Sequence, residues 1–162
     1  TPSPPKDAHP MHANHPTGFT FSVPDDWEVS IDPTPEIAVL AIAPPNDSGF
    51  RRNITVTVCP LGEDWVDTHR WQQASVTGLA EALTDFHLID AIVDVDAFRQ
   101  LCTYTTLDHA LSLEQWAWQW DRADAVQAVT LSATMTALET AMWADESAAI
   151  RDTWQEIDRG QS

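Results

Sequence analysis

The sequence predicts an α+β domain in which a single antiparallel β-sheet of about seven to eight strands is covered by two α-helices. The chain has 162 residues, 43% of them hydrophobic, which suffices for one core but not for two. Most of the segment from Gly18 to Met135 alternates apolar and polar residues with a period of two, as strands do. Two other stretches have apolar residues at helical spacing, which adds the helices.

Residues 1–17 predict a flexible tail in front of a single domain at residues 18–159. The tail holds five prolines and three histidines but almost no apolar side chains. A segment of this composition buries too little surface to offset the entropy that it loses on ordering.

The first group of strands precedes the first helix. Residues 19–31 predict a hairpin, because two alternating segments flank a turn at Pro24 to Asp26. An apolar run at residues 37–43 predicts the third strand, and strict alternation at residues 53–59 predicts the fourth.

The first helix is predicted from Trp65 to Leu83, with Asp64 as its N-cap. Four alternating segments then predict antiparallel strands joined by short turns, at residues 86–95, 98–106, 111–120 and 126–135.

The second helix is predicted to begin with a capping box formed by Thr136 and Glu139 and to end before Gly160. Two helices are enough to cover one face of an antiparallel sheet, so both are expected on the same face.

The charge of the chain narrows the classes of partner. There are 25 acidic and 8 basic residues, a net charge of −17, and Arg51-Arg52 is the only adjacent basic pair. Phosphate backbones and anionic membranes are held by clustered Lys and Arg, so we expect no nucleic-acid partner and no membrane-surface binding. The negative charge favours solubility and speeds encounter with a basic partner.

The sequence predicts no transmembrane span and leaves the location open. No stretch approaches the about 18 to 20 apolar residues of a membrane span, and no signal-peptide pattern is present. The cytoplasm and the cell envelope both stay possible, with any targeting segment outside this sequence.

Three phrases of the sequence resemble a known family. They are GFTFSVPDDWEV from Gly18, FRRNITVTV from Phe50 and LSLEQWAWQWDR from Leu111. With the order of the elements, they resemble the actinobacterial LpqN-type proteins, whose fold belongs to the PsbP-like superfamily. The resemblance implies this fold for nearly everything except the tail. That superfamily includes an extrinsic photosynthetic subunit, a Ran-binding import factor and mycobacterial envelope lipoproteins, which implies an interaction role and no shared enzymatic activity.

Trp116, Trp118 and Trp120 are the candidate partner-binding residues. They alternate with Ala117 and Gln119, so all three indoles project from one face of the predicted strand. One interpretation is core packing beneath the helices, since patterned aromatic residues are usually interior. The other is that at least one indole lies in a groove and receives an apolar ligand or a peptide.

His9, His12 and His15 are a candidate metal site in the tail. A polyproline helix has three residues per turn, so these imidazoles would line one edge. Closing a mobile segment around an ion costs entropy and no second shell is evident, so we expect neither a metal nor another cofactor.

Cys59 and Cys102 are the only cysteines and form no CxxC motif, which argues against a zinc or redox site. We expect free, buried thiols. A disulfide stays open if their two strands are neighbours.

The sequence predicts a non-enzymatic binding module that recognises a protein or a peptide. It has no HExxH, no GxSxG and no glycine-rich nucleotide loop, and the carboxylate pairs Asp25-Asp26 and Asp94 with Asp96 are interpreted as a turn and a strand end. The alternative is a carrier of an apolar small molecule or lipid in a groove between sheet and helices.

Overall fold

The structure, a computed structural model, describes residues 11–122 and 124–157. The strands of this part of the chain are β1 (Met11–His15), β2 (Phe19–Val23), β3 (Glu28–Ile31), β4 (Val39–Ile42), β5 (Asn53–Pro60), β6 (Thr84–Val93), β7 (Ala97–Thr105), β8 (Ala110–Asp121), β9 (Val126–Thr136) and β10 (Gln155–Glu156). Its helices are α1 (Thr68–Ala82) and α2 (Thr140–Asp152), and a short 3-10 helix precedes each of them, at Glu63–Trp65 and Ala137–Glu139.

Most strands form one large antiparallel sheet, with the order β3-β4-β5-β9-β8-β7-β6. Helix α1 carries the chain from β5 to the far edge strand β6. The chain then returns strand by strand through β7 and β8 to β9, which pairs with β5. Short turns allow consecutive strands to pair in this way. The predicted α+β class with two α-helices is confirmed.

One face of the large sheet, here called the inner face, consists of alternate residues that stand opposite one another on neighbouring strands. One row of such cross-strand partners runs through Val39, Val56, Leu131, Trp116, Arg99 and Ile92. The first three are fully buried, whereas Ile92 at the other end is 53% exposed. The inner face is therefore sealed over β4, β5 and β9 and open over β6 and β7.

A second, smaller sheet and α2 seal the inner face. The small sheet has the order β1-β2-β10, and Phe19 and Phe21 of its central strand are 0% exposed. Ile150 of α2 belongs to the same core. Each large apolar side chain that is buried in this way contributes about 1.5–3 kcal/mol to folding. The small sheet is thus part of the core rather than an appendage.

Helix α1 packs on the opposite, outer face of the large sheet, against β6 and β7. The Trp71 ring meets Phe98 edge to face, with 4.9 Å between the ring centres. The Gln72 amide donates a hydrogen bond of 3.2 Å to the side-chain oxygen of Gln100, which is fully buried. A buried amide requires such partners, so polar as well as apolar contacts hold α1 in place.

The predicted antiparallel sheet of about seven to eight strands is confirmed by the seven-stranded large sheet, but the layers around it differ from the expectation in two respects. The two helices lie on opposite faces of the large sheet, not on one, and the predicted single sheet is accompanied by the small sheet. The hairpin predicted at residues 19–31 is also wrong, since β2 pairs with β1 and β10, while β3 pairs with β4. Alternation determines which face of a strand is buried, but it does not determine the partner strand.

The prediction of a flexible tail is wrong for residues 11–17. Strand β1 runs antiparallel to β2, with Ala13 and His15 buried, and the backbone N–H of Gly18 closes the turn by donating to the carbonyl of His15 at 3.0 Å. The composition of β1 gives no sign of a strand. Its partner is β2, whose backbone pairs with β1 and whose apolar residues belong to the same core. The domain therefore includes Met11, and the rest of the predicted tail lies outside the described residues.

The start of α1 is shifted from its predicted position. Asp67 rather than Asp64 is the N-cap, and its side chain accepts hydrogen bonds from the backbone N–H groups of His69 and Arg70. The 3-10 turn at Glu63–Trp65 includes only Trp65 of the predicted helix.

The second helix is shorter than predicted. No side-chain capping bond forms at Thr136 or Glu139, and α2 ends at Asp152. The chain then turns into β10, where the backbone N–H of Ile157 donates to the carbonyl of Gly18 at 2.6 Å. A Cβ atom on Gly18, whose φ is +112°, would lie 3.0 Å from the Ile157 carbonyl oxygen, so this close approach requires glycine.

Candidate functional site

The three candidate tryptophans lie on the inner face of β8, where the sealed and open parts of that face meet. Trp120 and Trp118 are 6% and 7% exposed, whereas Trp116 is only half-buried. The prediction that the indoles share one face agrees with the register, since Trp116, Trp118 and Trp120 stand opposite Leu131, Val129 and Gln127. The stripe therefore runs from the core to the surface.

Trp154, which follows α2, anchors the buried end of this stripe. Its ring stacks on Phe19 with 4.3 Å between centres, and it meets Trp118 edge to face at 4.9 Å and Trp120 at 6.3 Å. Such aromatic pairs add about 0.5–1.5 kcal/mol each beyond their buried area. Trp120 is accordingly a core residue, and Trp118 combines core packing with the floor of a cleft.

The open end of the stripe forms a cleft of about 290 Å³, here called the tryptophan cleft, between β6, β7, β8 and the end of α2. Its lining residues are Ile92, Asp94, Ala97, Phe98, Arg99, Trp116, Ala117, Trp118 and Arg151. The volume is at the lower end of the range for small-molecule sites, about 300–1,000 Å³. It suits a single side chain or a short apolar group.

The apolar rim of the tryptophan cleft lies on the edge strand β6. Ile92, which is 53% exposed, is the apolar residue of this strand that lines the cleft. A single exposed apolar residue is ordinary, but Ile92 adjoins the half-buried Trp116 in the same cleft, and an apolar patch of this kind commonly marks an interaction site.

The two arginines of the cleft have different surroundings. Arg99 is neutralised by carboxylates, since its Nε donates to Glu114 Oε2 at 2.6 Å and its Nη1 lies 3.5 Å from Asp90 Oδ2. No ion pair joins Arg151 to a carboxylate among the described residues. The guanidinium of Arg99 is thus paired with carboxylates of the sheet, whereas the guanidinium of Arg151 faces the cleft.

The Arg151 guanidinium lies over the ring of Trp118, with 4.1 Å from its central carbon to the ring centre. Its Nε is buried and has no hydrogen-bond acceptor in the part of the chain that the structure describes. Burial lowers the pKa of Arg151, and the negative charges of Asp152 and Glu156 act in the opposite direction. A cation held here by an aromatic face keeps unused donors.

A second cleft of about 470 Å³ lies on the other side of Asp94, at the start of α1, and includes Asp67, Thr68 and Val95. Two of its four polar side chains are already engaged, because Asp67 caps α1 and the Thr68 hydroxyl donates to the Val95 carbonyl at 2.6 Å. The other two, His69 and Asp94, also line it, and no aromatic floor is present among its lining residues.

The histidines of the candidate metal site are not brought together on one edge. His12 and His15 are separated by three positions in β1, so they project from opposite faces. His12 hydrogen-bonds to the Ser22 hydroxyl at 2.9 Å, while the buried His15 contacts Asp32 Oδ1 at 2.7 Å. His9 lies outside the described residues. No cluster of three metal-ligating side chains occurs within residues 11–122 and 124–157.

The two cysteines are free, and only one of them is buried. Cys102 is buried on β7, but Cys59 is exposed at the end of β5, which corrects the expectation of two buried thiols. Strands β9 and β8 lie between β5 and β7, so the neighbouring strands that a disulfide requires are absent.

Sequence reasoning missed Arg151 and the apolar rim at Ile92. The helical spacing of the last segment gave no sign that Arg151 would reach Trp118. Ile92 belonged to a predicted strand, but nothing in the alternation showed that β6 would be an edge strand. A basic residue in the last turn of a helix is a common signal, and it does not identify a binding group.

Among the helices of the described residues, none combines the length and the apolar character that crossing a bilayer requires.

Comparison with known proteins identifies structural relatives only. No protein-family model matches the chain, and no curated protein sequence matches it. LpqN, involved in cell envelope biogenesis of Mycobacterium tuberculosis, superposes with a TM-score of 0.66 at 19% identity, over 94% of this chain and 91% of that chain. CyanoP, the PsbP protein of Synechocystis sp. PCC 6803, gives 0.64 at 11% identity over 96% and 97%. A point mutant of Mog1 gives 0.61 at 10% identity over 93% and 97%.

Identities this low are evidence for the shared architecture alone. The resemblance noted in the sequence is confirmed at that level: this chain has the PsbP-like α+β fold of LpqN, CyanoP and Mog1.

Proposed function

We propose that this protein is a non-catalytic interaction module that binds a protein or peptide partner in the tryptophan cleft. The observation that carries the proposal is a difference between two parts of the large sheet. Each part is covered on one face only, one by the small sheet and α2 and the other by α1. On the outer face of β5 and β9, the cross-strand partners include Thr55 with Ser132 and Thr57 with Thr130. Thr55, Thr57 and Thr130 are half-buried hydroxyl side chains suited to water, whereas Ser132 is buried and accepts a hydrogen bond from the Gln115 amide at 3.1 Å.

The open part of the inner face presents apolar side chains around a charged pair, since Arg99, which is paired with Glu114 and Asp90, lies between Ile92 and Trp116 in the same cross-strand row. Ile92, Ala97 and Trp116 face the cleft where an antiparallel sheet usually presents polar residues to solvent. Exposed apolar surface of this kind has a cost in solubility, and in monomeric proteins it commonly marks a binding site. Trp and Arg are also the residue types that dominate the binding energy of protein interfaces, and both line this cleft.

The chemistry of the proposed partner follows from the charge of the whole chain. With a net charge of −17, the protein attracts basic partners at long range and repels acidic ones. We therefore expect a basic partner surface that inserts one apolar side chain into the cleft. Association is expected to weaken as salt shortens the Debye length from about 10 Å at 0.1 M to about 3 Å at 1 M.

The test is capture of the partner from native lysate with immobilised wild-type protein and matched variants. Ile92→Ser and Trp116→Ala alter the cleft, whereas Leu107→Ser alters a fully exposed leucine in the β7–β8 turn, at the other end of these strands. We expect one basic protein to be enriched by the wild type and by Leu107→Ser, and to be lost with both cleft variants. Equal capture by all four proteins would remove the proposal.

A carrier of an apolar small molecule is the second candidate, which the indole floor and the modest volume of the cleft favour. In that case, native mass spectrometry of the purified protein would show a bound ligand that Trp116→Ala releases. LpqN is involved in cell envelope biogenesis, and a role of this chain in the envelope is compatible with either candidate.

A further inference from the structure

Arg151 is the feature of the tryptophan cleft that protein stability does not explain. A surface arginine normally keeps its hydration or pairs with a carboxylate. Here the guanidinium lies against Trp118, and its Nε is buried without an acceptor in residues 11–122 and 124–157. A buried donor that lacks a partner destabilises the folded protein, and more so when it is charged. The terminal nitrogens of the same guanidinium likewise form no ion pair with a described carboxylate, and an anion in the cleft would pair with them.

A carboxylate is the anion that fits a guanidinium best. The planar fork of arginine matches the two carboxylate oxygens, and the resulting charge-assisted hydrogen bonds are roughly twice as strong as neutral ones. Arg99 shows this pairing within the same cleft, where Glu114 already occupies it. The corresponding place at Arg151 is free among the described residues.

We propose that the tryptophan cleft recognises the free C-terminus of the partner chain, with its α-carboxylate on Arg151 and its last, apolar side chain between Trp116 and Ile92. This inference rests on the proposed function, because it requires that the cleft binds a polypeptide.

The spacing of the cleft fits a terminal residue. Arg151 covers Trp118, and Trp116 lies two positions away on the same face of β8, at about 6–7 Å for alternate residues of a strand. The carboxylate and the side chain of a terminal residue leave the same Cα atom and are separated by a few ångströms. One such residue can therefore reach both the cation and the apolar floor.

The surrounding charges limit the ligand to a single carboxylate. Asp94 lines the cleft, and Asp152 and Glu156 act on Arg151. These carboxylates, with the net charge of −17, repel a segment that carries further acidic side chains or a phosphate. A chain that is neutral or basic before an apolar C-terminal residue meets both conditions.

The experiment uses two pools of synthetic hexapeptides that differ only at the end of the chain. Each peptide is acetylated, carries two lysines and ends in leucine, isoleucine or phenylalanine, either as the free acid or as the carboxamide. Binding to the full chain is followed through the indole N–H signals of Trp116 and Trp118 in ¹H–¹⁵N NMR spectra. We expect the free acids to bind about tenfold or more tightly than the amides, as the loss of a charge-assisted hydrogen bond implies.

Matched variants assign the preference to one cation. Arg151→Gln keeps most of the side chain without the charge and is expected to bind both pools equally. Arg122→Gln is the control, because Arg122 also lies over a tryptophan, at 4.6 Å from the Trp120 ring centre, but does not line the cleft. It is expected to keep the wild-type preference.

Three outcomes would overturn the inference. Equal binding of acids and amides to the wild type would show that the cleft does not recognise the carboxylate, and the proposed function would stand. Binding of sodium octanoate without either peptide pool would assign the site to a lipid carboxylate. Binding of no probe, together with a captured partner that ignores the cleft variants, would remove both proposals.

Discussion

The two halves of the large sheet are covered on opposite sides, and their free faces differ in character. Over β4, β5 and β9, the small sheet and α2 cover the inner face, and the outer face carries threonines such as Thr57 and Thr130. Over β6 and β7, α1 covers the outer face, and the free inner face carries Ile92 and, on the adjoining β8, Trp116. A face that is merely solvated becomes polar, so the exposed Ile92 and the half-buried Trp116 beside the Arg99–Glu114 pair indicate a patch that is covered in the bound state.

The largest expected effect is a difference in the loss of stability between a substitution that affects the sealed half of the inner face and one in the open half. Phe21→Ala removes a fully buried ring and is expected to lower the free energy of unfolding by about 3–5 kcal/mol. Ile92→Ala in the open half is expected to cost less than about 1 kcal/mol, because its side chain already contacts water. Urea titrations with a common m-value measure both changes, and similar losses would contradict the division.

The tryptophan stripe provides a graded version of the same comparison. Trp118→Ala is expected to cost about 3 kcal/mol, since it leaves a cavity beside Trp154, and Trp116→Ala about 1–2 kcal/mol, since part of that ring is already exposed. The same urea titrations give the order. If Trp116→Ala were the more destabilising change, the open end of the stripe would belong to the core.

The outer face provides a third comparison, because α1 is held there by a buried amide. The Gln100 side chain donates to the Ser75 hydroxyl at 3.0 Å and to Gln115 Oε1 at 2.8 Å. Gln100→Leu leaves these groups and Gln72 without their partner and is expected to cost about 1–3 kcal/mol. Gln119→Leu is the control on β8, with one exposed hydrogen bond to the Val66 carbonyl, and thermal unfolding should show a smaller loss for it.

A further expected effect concerns pH and the buried cysteine Cys102. Burial raises the pKa of Cys102 from 9.0 to about 11. Between these values the unfolded chain has lost the thiol proton and the folded chain keeps it, so this contribution to stability is complete below about pH 9 and is lost as the pH rises through about 11. Stability curves from pH 7 to 10.5 should fall less steeply for Cys102→Ala than for the wild type.

Thiol labelling at pH 8 compares the two cysteines. Exposed Cys59 should react in the folded protein, and buried Cys102 only after unfolding. Equal reaction of both thiols in the native state would contradict the burial of β7 beneath α1.

The sequence predicted the parts of the fold that depend on local periodicity. Strict alternation identified β5, β8 and β9, and it placed all three candidate tryptophans on one face. It did not reveal that β1 pairs with β2 or that the helices lie on opposite faces, because both depend on contacts between residues that are distant in the chain. Arg151 shows the same limit for the site, since only the packing of α2 brings its guanidinium over Trp118.

The central claim is that the tryptophan cleft is the partner-binding surface, and the indole N–H signals of the protein test it most directly. The eight tryptophans give eight probes, which single substitutions can assign. On addition of the captured partner, we predict that the signals of Trp116 and Trp118 move while those of Trp120 and Trp27 in the sealed core stay in place. Saturated binding that leaves Trp116 and Trp118 unchanged would contradict the account.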